Sequence, residues 1–339
     1  MIRKKAIALL MAALLLLSVP ACAAPAKDAA LTVTDQAGRV VAIGDAANRI
    51  VSGFYISTSV CIALGLSGRL VAIEAKAASR PIYALAKPEL LRLPDVGTAK
   101  DFNLEACLAL HPDLVILPCR LRGAADILAE MGVSAIVVDP EDQDRLMEMI
   151  ALVGNAAGVP ERAAQLIDYC RQSMAHTEKL AKGVPGKPGI YMAGVSSYLS
   201  AAPVGMYQSA LTRLAGGTNA ADIESNGWME ISYEQLLGLN PDIIILPAEA
   251  GYGKDDIMGD AQLASLDAVK NGMIFKMPGS IEAWDSPLPS SILGARWLLS
   301  VLHGELFSPE ELRAEAAAFY NEFYGTNLKA DEIEIGVQQ

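Results

Sequence analysis

Five basic side chains in the first half of the sequence lie where they could bind an anion. Each is at or near the end of a short aliphatic run, and they are Lys76, Arg80, Lys100, Arg120 and Arg122. Cations gathered in a cleft raise the local concentration of anions, and an Arg fork binds a carboxylate or an oxyanion through two N–H groups. The alternative is that these are solvated loop residues paired with Glu74, Glu89 and Asp101.

Aromatic residues with polar tips are the corresponding feature of the second half. They are Tyr198, Tyr207, Trp228, Tyr252 and Trp284. Such rings suit a site that holds a large, partly apolar ligand. For the two tryptophans the alternative is packing against loops, and for Trp228 packing is favoured.

A hydroxyl-rich turn follows the run Arg49-Ile50-Val51 and leads into a helical pattern. Tyr55 and Ser57 belong to this turn. Hydroxyls and the first amides of a helix can bind an anion together. Capping of the helix alone is the more common role for such serines.

Motifs of catalysis and metal binding are absent from the sequence. The 339 residues contain no HExxH, no GxSxG, no phosphate-binding loop and no EF-hand spacing. The histidines His111, His176 and His303 fall in separate predicted elements, and no CxxC pair occurs. We therefore expect neither an enzyme nor an intrinsic cofactor, and any metal should arrive inside the bound ligand.

A repeat indicates how the chain positions these groups. Residues 103–118 (NLEACLALHPDLVILP) and 232–247 (SYEQLLGLNPDIIILP) match at eight of sixteen positions. Each copy predicts a short helix, a Pro-Asp turn and a strand buried on both faces. Similar strands are predicted at 49–51, 70–73, 135–138, 189–193 and 273–277. Alternating strands and helices predict two Rossmann-like α/β lobes with parallel sheets and a ligand cleft between them.

The two halves are joined by a long helical pattern. Pro160 to Lys182 contains no Gly or internal Pro, and its apolar residues recur at the 3.6-residue spacing. A helix of this length spans about 33 Å. The segment from Gly183 to Gly189 is rich in Gly and Pro and ends it. A single rigid connection limits how far the lobes can swing.

The N-terminus predicts export. Arg3, Lys4 and Lys5 precede an apolar run of 14 residues, Ala6 to Val19, which is shorter than the roughly 20 residues of a membrane-spanning helix. The run ends in Val19-Pro20-Ala21-Cys22, which resembles a bacterial lipobox with Cys22 as the lipidated residue. The alternative is ordinary cleavage after Ala23 or Ala24. We expect an exported protein, lipid-anchored to the outer face of the cell membrane or periplasmic.

Charge excludes one class of partner. Removal of residues 1–21 takes away three cations, so the net charge of the chain falls from −12 to −15. Nucleic-acid binding needs clustered Lys and Arg on one face. We therefore expect no nucleic-acid partner.

Four segments taken together resemble the metal-chelate type of solute-binding protein, which serves ABC importers of ferric siderophores, haem and cobalamin. They are RIVSGFYISTSVCIALGLSGRLVAI (49–73), VGTAKDFNLEACLALHPDLVIL (96–117), LAGGTNAADIESNGWMEISYEQLLGLNPDIIIL (214–246) and EAWDSPLPSSILGARWLLSVLHGELF (282–307). The resemblance covers nearly the whole mature chain and implies a monomer that delivers its ligand to a permease and its ATPase. It also implies that Glu105 and Glu234, one per lobe, dock onto the permease, although a carboxylate in a first helical turn also stabilises the helix dipole.

The resemblance leaves the cargo open. An anionic iron chelate (siderophore or haem) or a cobalamin-like molecule is favoured by the aromatic residues. The alternative on the same scaffold is a molybdate or tungstate oxyanion, and a surface enzyme or sensor is the third reading. The expected organisation is a signal peptide (1–21), a tether (22–30), an N-terminal lobe (31–159), the connecting helix (160–183), a C-terminal lobe (187–325) and a tail (326–339).

Overall fold

The computed structural model describes residues 31–184, 186–225 and 227–336. The predicted signal peptide, the lipidated Cys22 and the tether lie outside these ranges. No described helix combines the length and the apolar composition that a bilayer crossing requires.

The first lobe is an α/β unit with one antiparallel hairpin at its start. Its strands are β1 (Leu31–Thr34), β2 (Val40–Ile43), β3 (Ile50–Ser52), β4 (Leu70–Ala72), β5 (Leu114–Pro118) and β6 (Ala135–Val138). Its helices are α1 (Tyr55–Ala63), α2 (Pro81–Ala86), α3 (Leu104–Ala109), α4 (Arg122–Glu130) and α5 (Gln143–Ala156). β1 and β2 form the hairpin, and the other strands form a parallel sheet in the order β4-β3-β5-β6.

The second lobe repeats this plan after the connecting helix α6 (Pro160–Ala181). Its strands are β7 (Gly189–Met192), β8 (Ser200–Ala201), β9 (Thr218–Asn219), β10 (Met229–Glu230), β11 (Ile243–Leu246) and β12 (Ile274–Lys276). Its helices are α7 (Tyr207–Leu214), α8 (Tyr233–Leu239), α9 (Lys254–Met258), α10 (Asp267–Lys270), α11 (Ile292–Leu302) and α12 (Pro309–Phe319). The parallel sheet has the order β12-β11-β7-β9, while β8 and β10 pair antiparallel.

The aliphatic runs are continuous because both faces of each sheet are covered. In β5, Leu114 and Ile116 belong to the core shared by both lobes, whereas Val115 and Leu117 belong to a separate core under α3 and α4. β11 alternates in the same way between the shared core and a core of the second lobe. Side chains alternate across a strand, so a strand buried on both sides carries no polar position. The predicted pair of lobes with parallel sheets is confirmed.

The connecting helix begins at Pro160, as predicted, and ends at Ala181, two residues before the predicted bound at 183. Pro160 occupies its first turn, where a missing N–H costs no hydrogen bond. Its buried stripe includes Ala163, Leu166 and Cys170. This stripe belongs to the shared core, so the lobes are tied by a packed helix and not by a flexible linker.

The stretch predicted as a tail is packed against the second lobe as far as Ile335. Ile333 and Ile335 are buried, and the Trp297 indole N–H donates to the Ile335 carbonyl at 2.8 Å. Ile333 and Ile335 alternate with charged residues over only a few positions, and a pattern this short does not predict a packed segment.

Candidate ligand-binding cleft

The cleft lies where the strand order of each sheet reverses. From β3 the chain moves outward to β4 and then returns to the other side as β5. In the second lobe β7 has the same position between β9 and β11. In such sheets a crevice forms beyond the carboxyl ends of the two strands at the reversal. The segments beginning at Gly53 and at Cys119 flank the crevice in the first lobe, and those at Gly194 and Glu249 flank it in the second.

Gly53 lets α1 begin close to the sheet. A Cβ at this position would lie 2.7 Å from Leu117 Cδ2 and 3.2 Å from the Phe102 ring. The following residue, Phe54, is the N-cap of α1 and makes no side-chain cap hydrogen bond. α1 therefore begins beside the crevice without a capping side chain, and Phe54 and Tyr55 line cavities there.

Behind this turn the hydroxyls form a buried network. Ser57 Oγ donates to the Phe54 carbonyl at 2.7 Å, and Thr58 Oγ1 donates to Glu74 Oε2 at 2.5 Å. Tyr83 OH donates to the other oxygen of Glu74 at 2.6 Å. Ser57 is fully buried, so its hydroxyl holds the turn together and does not face the cleft.

Arg80 is the central cation of the cleft. Its guanidinium lies over the Tyr55 ring, 4.2 Å from the centroid, and Nη1 donates to Glu249 Oε1 at 2.7 Å. Burial raises the pKa of the Tyr55 hydroxyl. The first lobe thus presents a cation stacked on an aromatic ring directly to the loops of the second lobe.

Two cavities flank the first turn of α1. The cleft cavity, of about 50 Å³, is lined by both lobes, among them Tyr55, Arg80, Glu249 and Glu282. The mouth cavity, of about 310 Å³, is lined by residues that include Phe54, Arg120, Asp139 and Pro287. Since one water needs about 10–15 Å³ by the same measure, the cleft cavity is the size of a small ion with its hydration.

The second lobe contributes buried carboxyls. Glu282 accepts from Ser59 Oγ of the first lobe at 2.7 Å and from Ser290 Oγ at 2.6 Å. Burial raises the pKa of Glu282, and it raises the pKa of Asp285 to about 6. The pKa of Glu74 in the first lobe is also raised by burial. Of these three carboxyls only Glu282 lines the cleft cavity.

The predicted basic cluster is divided by the fold. Arg80 lines the cleft cavity and Arg120 lines the mouth cavity. Lys76, Lys100 and Arg122 are exposed and line neither cavity. The predicted alternative partners of these cations included Glu74, but Arg80 pairs with Glu249 from the opposite lobe.

The predicted aromatic residues are likewise spread over different surroundings. Trp284 is 2 % exposed and donates to Tyr320 OH at 2.9 Å, while Tyr207 is buried with its hydroxyl against Ser291. Both serve packing, and neither lines a cavity beside Tyr55.

Two of the remaining three aromatic residues form one surface cluster. Tyr198 and Tyr252 meet edge to face with centroids 5.6 Å apart, and Tyr198 OH donates to Asp260. Trp228 is 37 % exposed. Tyr55 is therefore the one predicted aromatic residue that lines the cleft cavity.

The two glutamates of the repeat are placed alike. Glu105 and Glu234 are both exposed in the first turns of α3 and α8. Asn103 caps α3 by accepting from the Ala106 amide at 2.9 Å, and Ser232 caps α8 in a capping box with Gln235. Each lobe therefore presents one carboxylate on a firmly capped helix.

The acids of the cleft were absent from the predicted site. Glu249 lies in the loop after β11 that also contains Tyr252, and the sequence analysis chose only the aromatic residue of this loop. A signal was present: Glu282 and Asp285 lie in the segment EAWDSP, between apolar residues, where a carboxyl is costly unless it is hydrogen-bonded.

The family model that matches residues 50–281 is described as "Periplasmic binding protein". The chain belongs to this family. It is a periplasmic solute-binding protein of the ABC-transporter type, as the resemblance of its four segments predicted. The predicted family, fold and class of function are thereby confirmed.

Several relatives match over most of the chain. The molybdate-binding protein MolA of Haemophilus influenzae is 26 % identical over 330 residues, which are 88 % of this chain and 92 % of that protein. The vitamin B12-binding protein of Yersinia pestis is 26 % identical over 59 % of this chain and 70 % of its own length. Both relatives are named for the molecule that they bind.

Solved structures agree on the fold. A periplasmic solute-binding protein from Veillonella parvula superposes with a TM-score of 0.79 at 28 % identity, covering 90 % of this chain and 95 % of that one. MolA bound to molybdate superposes with a TM-score of 0.78 at 22 % identity, covering 88 % and 99 %. The two-lobed architecture is therefore shared along nearly the whole length.

Proposed function

We propose that the protein captures a small oxyanion of the molybdate and tungstate type and delivers it to an ABC permease. The observation that carries this is Arg80, held over the Tyr55 ring in a cavity of about 50 Å³ between the lobes. A guanidinium fork matches the oxygens of an oxyanion. Of the cargoes that the sequence left open, this is the one whose size fits the cleft cavity.

The surroundings of Arg80 suit such a ligand. α1 begins beside the crevice, and the N-terminus of a helix favours anions. Tyr55 and Ser59 line the same cavity and can offer hydroxyl donors to further oxygens. Similarity to MolA over most of both chains supports the same cargo.

A chelate would need more room than the cleft cavity provides. Pockets for organic ligands usually measure about 300–1,000 Å³, and the mouth cavity reaches only the lower bound of this range. The long packed helix α6 limits how far the lobes can separate. A siderophore, haem or cobalamin is therefore the second choice, although a vitamin B12-binding protein is among the relatives.

Delivery uses the two exposed glutamates. Glu105 and Glu234 present one carboxylate per lobe, and we propose that each pairs with a basic side chain of a permease and ATPase complex. We also propose that Cys22 is lipidated and anchors a monomer to the outer face of the membrane. Labelled fatty acid should be incorporated into the wild type and not into Cys22→Ala.

Differential scanning fluorimetry tests the cargo. Molybdate and tungstate at a hundredfold excess over Kd should stabilise the protein by about 2.7 kcal/mol. Sulfate and phosphate are the control anions. Haem, ferric siderophores and cobinamide form the second arm. Stabilisation by one of these, with no response to molybdate or tungstate, would overturn the proposed cargo and favour the chelate.

A further inference from the structure

Among the residues that the structure describes, an ion pair joins the cleft loops of the two lobes directly. Arg80 lies between β4 and α2 of the first lobe, and Glu249 follows β11 in the second. Their Nη1 and Oε1 atoms are 2.7 Å apart, with side-chain exposures of 29 % and 56 %. Both residues line the cleft cavity, so this pair occupies the place where an anion would meet Arg80.

Glu249 is the carboxylate that faces Arg80 most closely. The other acids near Arg80 have different hydrogen-bond donors: Glu282 accepts from Ser59 and Ser290, and Glu74 accepts from Thr58 and Tyr83. One face of the guanidinium is covered by Tyr55. Donors at the edge of the guanidinium are therefore what a ligand can use, and Glu249 already holds one of them.

We infer that Glu249 is an internal competitor for the ligand at Arg80. This inference rests on the proposed function, because it concerns the same guanidinium. An anionic ligand must displace the Glu249 carboxylate, whereas a neutral ligand gains nothing by doing so. Glu249 is thus a specificity-determining residue that admits only anions able to outcompete a carboxylate.

The direct test compares Glu249→Gln with the wild type in molybdate titrations by calorimetry. Loss of a half-exposed ion pair should tighten molybdate binding by about fivefold. Asp255→Asn is the control, because it removes one charge from the exposed start of α9 without contacting Arg80. Equal or weaker binding by Glu249→Gln would overturn the inference, as would the same gain in Asp255→Asn.

A second measurement needs no ligand. In a double-mutant cycle of Arg80→Gln and Glu249→Gln, the unfolding equilibrium constants should show a coupling of about threefold to fivefold. Strictly additive effects would contradict the pairing on which the inference depends. If neither the wild type nor Glu249→Gln binds molybdate while the coupling is present, the proposed cargo fails and the inference fails with it. Molybdate binding by the wild type without a gain in the variant refutes the inference alone.

Discussion

The two lobes share a topology but contribute opposite charges to the cleft. In the first lobe Arg80 is the charged residue that lines the cleft cavity, while Arg120 shares the mouth cavity with Asp139 and Glu141. In the second lobe the loops beyond the sheet carry Glu249, Glu282 and Asp285. Strand order fixes where a crevice forms, while the side chains of each lobe decide which charge it presents there. On the proposed function, the first lobe supplies the cation for the ligand and the second lobe covers it from the opposite side.

The largest effect should come from the cation of the first lobe. Arg80→Gln removes the charged donor and should weaken molybdate binding by about 100-fold, or about 2.7 kcal/mol. Calorimetric titration measures this directly. Arg92→Gln is the matched control, because Arg92 is exposed and lines neither cavity. If Arg80→Gln bound molybdate as tightly as Arg92→Gln, Arg80 would not be the cation that binds the ligand, and the contrast between the lobes would be wrong.

The buried acids of the second lobe should make the stability of the protein depend on pH. Burial raises the pKa of Asp285 to about 6. Because the pKa of Asp285 is higher in the folded protein than its ordinary value of about 3.9, protonation of Asp285 stabilises the fold at low pH. This stabilisation is fully present below about pH 3.9 and is lost as the pH rises through 6. Asp285→Asn should therefore gain on the wild type between pH 4 and pH 7, by about 2 kcal/mol at the upper end.

Urea unfolding at several pH values measures this difference. Asp255→Asn, on the exposed start of α9, should run parallel to the wild type over the same range. A gap between Asp285→Asn and the wild type that stays constant or narrows with rising pH would show that Asp285 is ionised throughout.

The docking glutamates should behave alike in both lobes, in contrast to the cleft. Glu105→Ala and Glu234→Ala should each reduce molybdate uptake by cells about tenfold while leaving binding by the purified protein unchanged. The exposed Glu130 at the end of α4 offers a control in Glu130→Ala. Weakened binding in either docking variant would place that glutamate in the cleft machinery.

The smallest effect should come from the mouth cavity. Arg120 is exposed, so it should steer an anion more than hold it. Arg120→Gln should slow molybdate association by about threefold at low salt, and the difference should vanish as screening increases. Stopped-flow measurements at two ionic strengths decide this. A slower association that persists at high salt would make Arg120 a direct ligand.

Much of the fold follows from local patterns. The repeat 103–118 and 232–247 predicted α3 with β5 and α8 with β11, because strands covered on both faces contain no polar positions. The hairpin β1-β2 was absent from the prediction, since its alternation covers only four residues per strand.

The site was harder to predict because it forms between lobes. Arg80 was one of five candidate cations, and nothing local distinguishes it from Lys100. Its pairing with Glu249 joins positions 169 residues apart. Trp284 was proposed for the cleft, but its ring is buried by packing that includes Tyr320, which no local pattern could indicate.

Crystals grown with tungstate offer the most direct test of the central claim, because tungsten scatters anomalously. The account predicts an anomalous peak between the lobes, within hydrogen-bonding reach of the Arg80 guanidinium and beside the Tyr55 hydroxyl, with Glu249 moved away from Arg80. Saturating tungstate that gives no peak in the cleft, or a peak only outside it, would contradict the assignment of this protein as an oxyanion carrier.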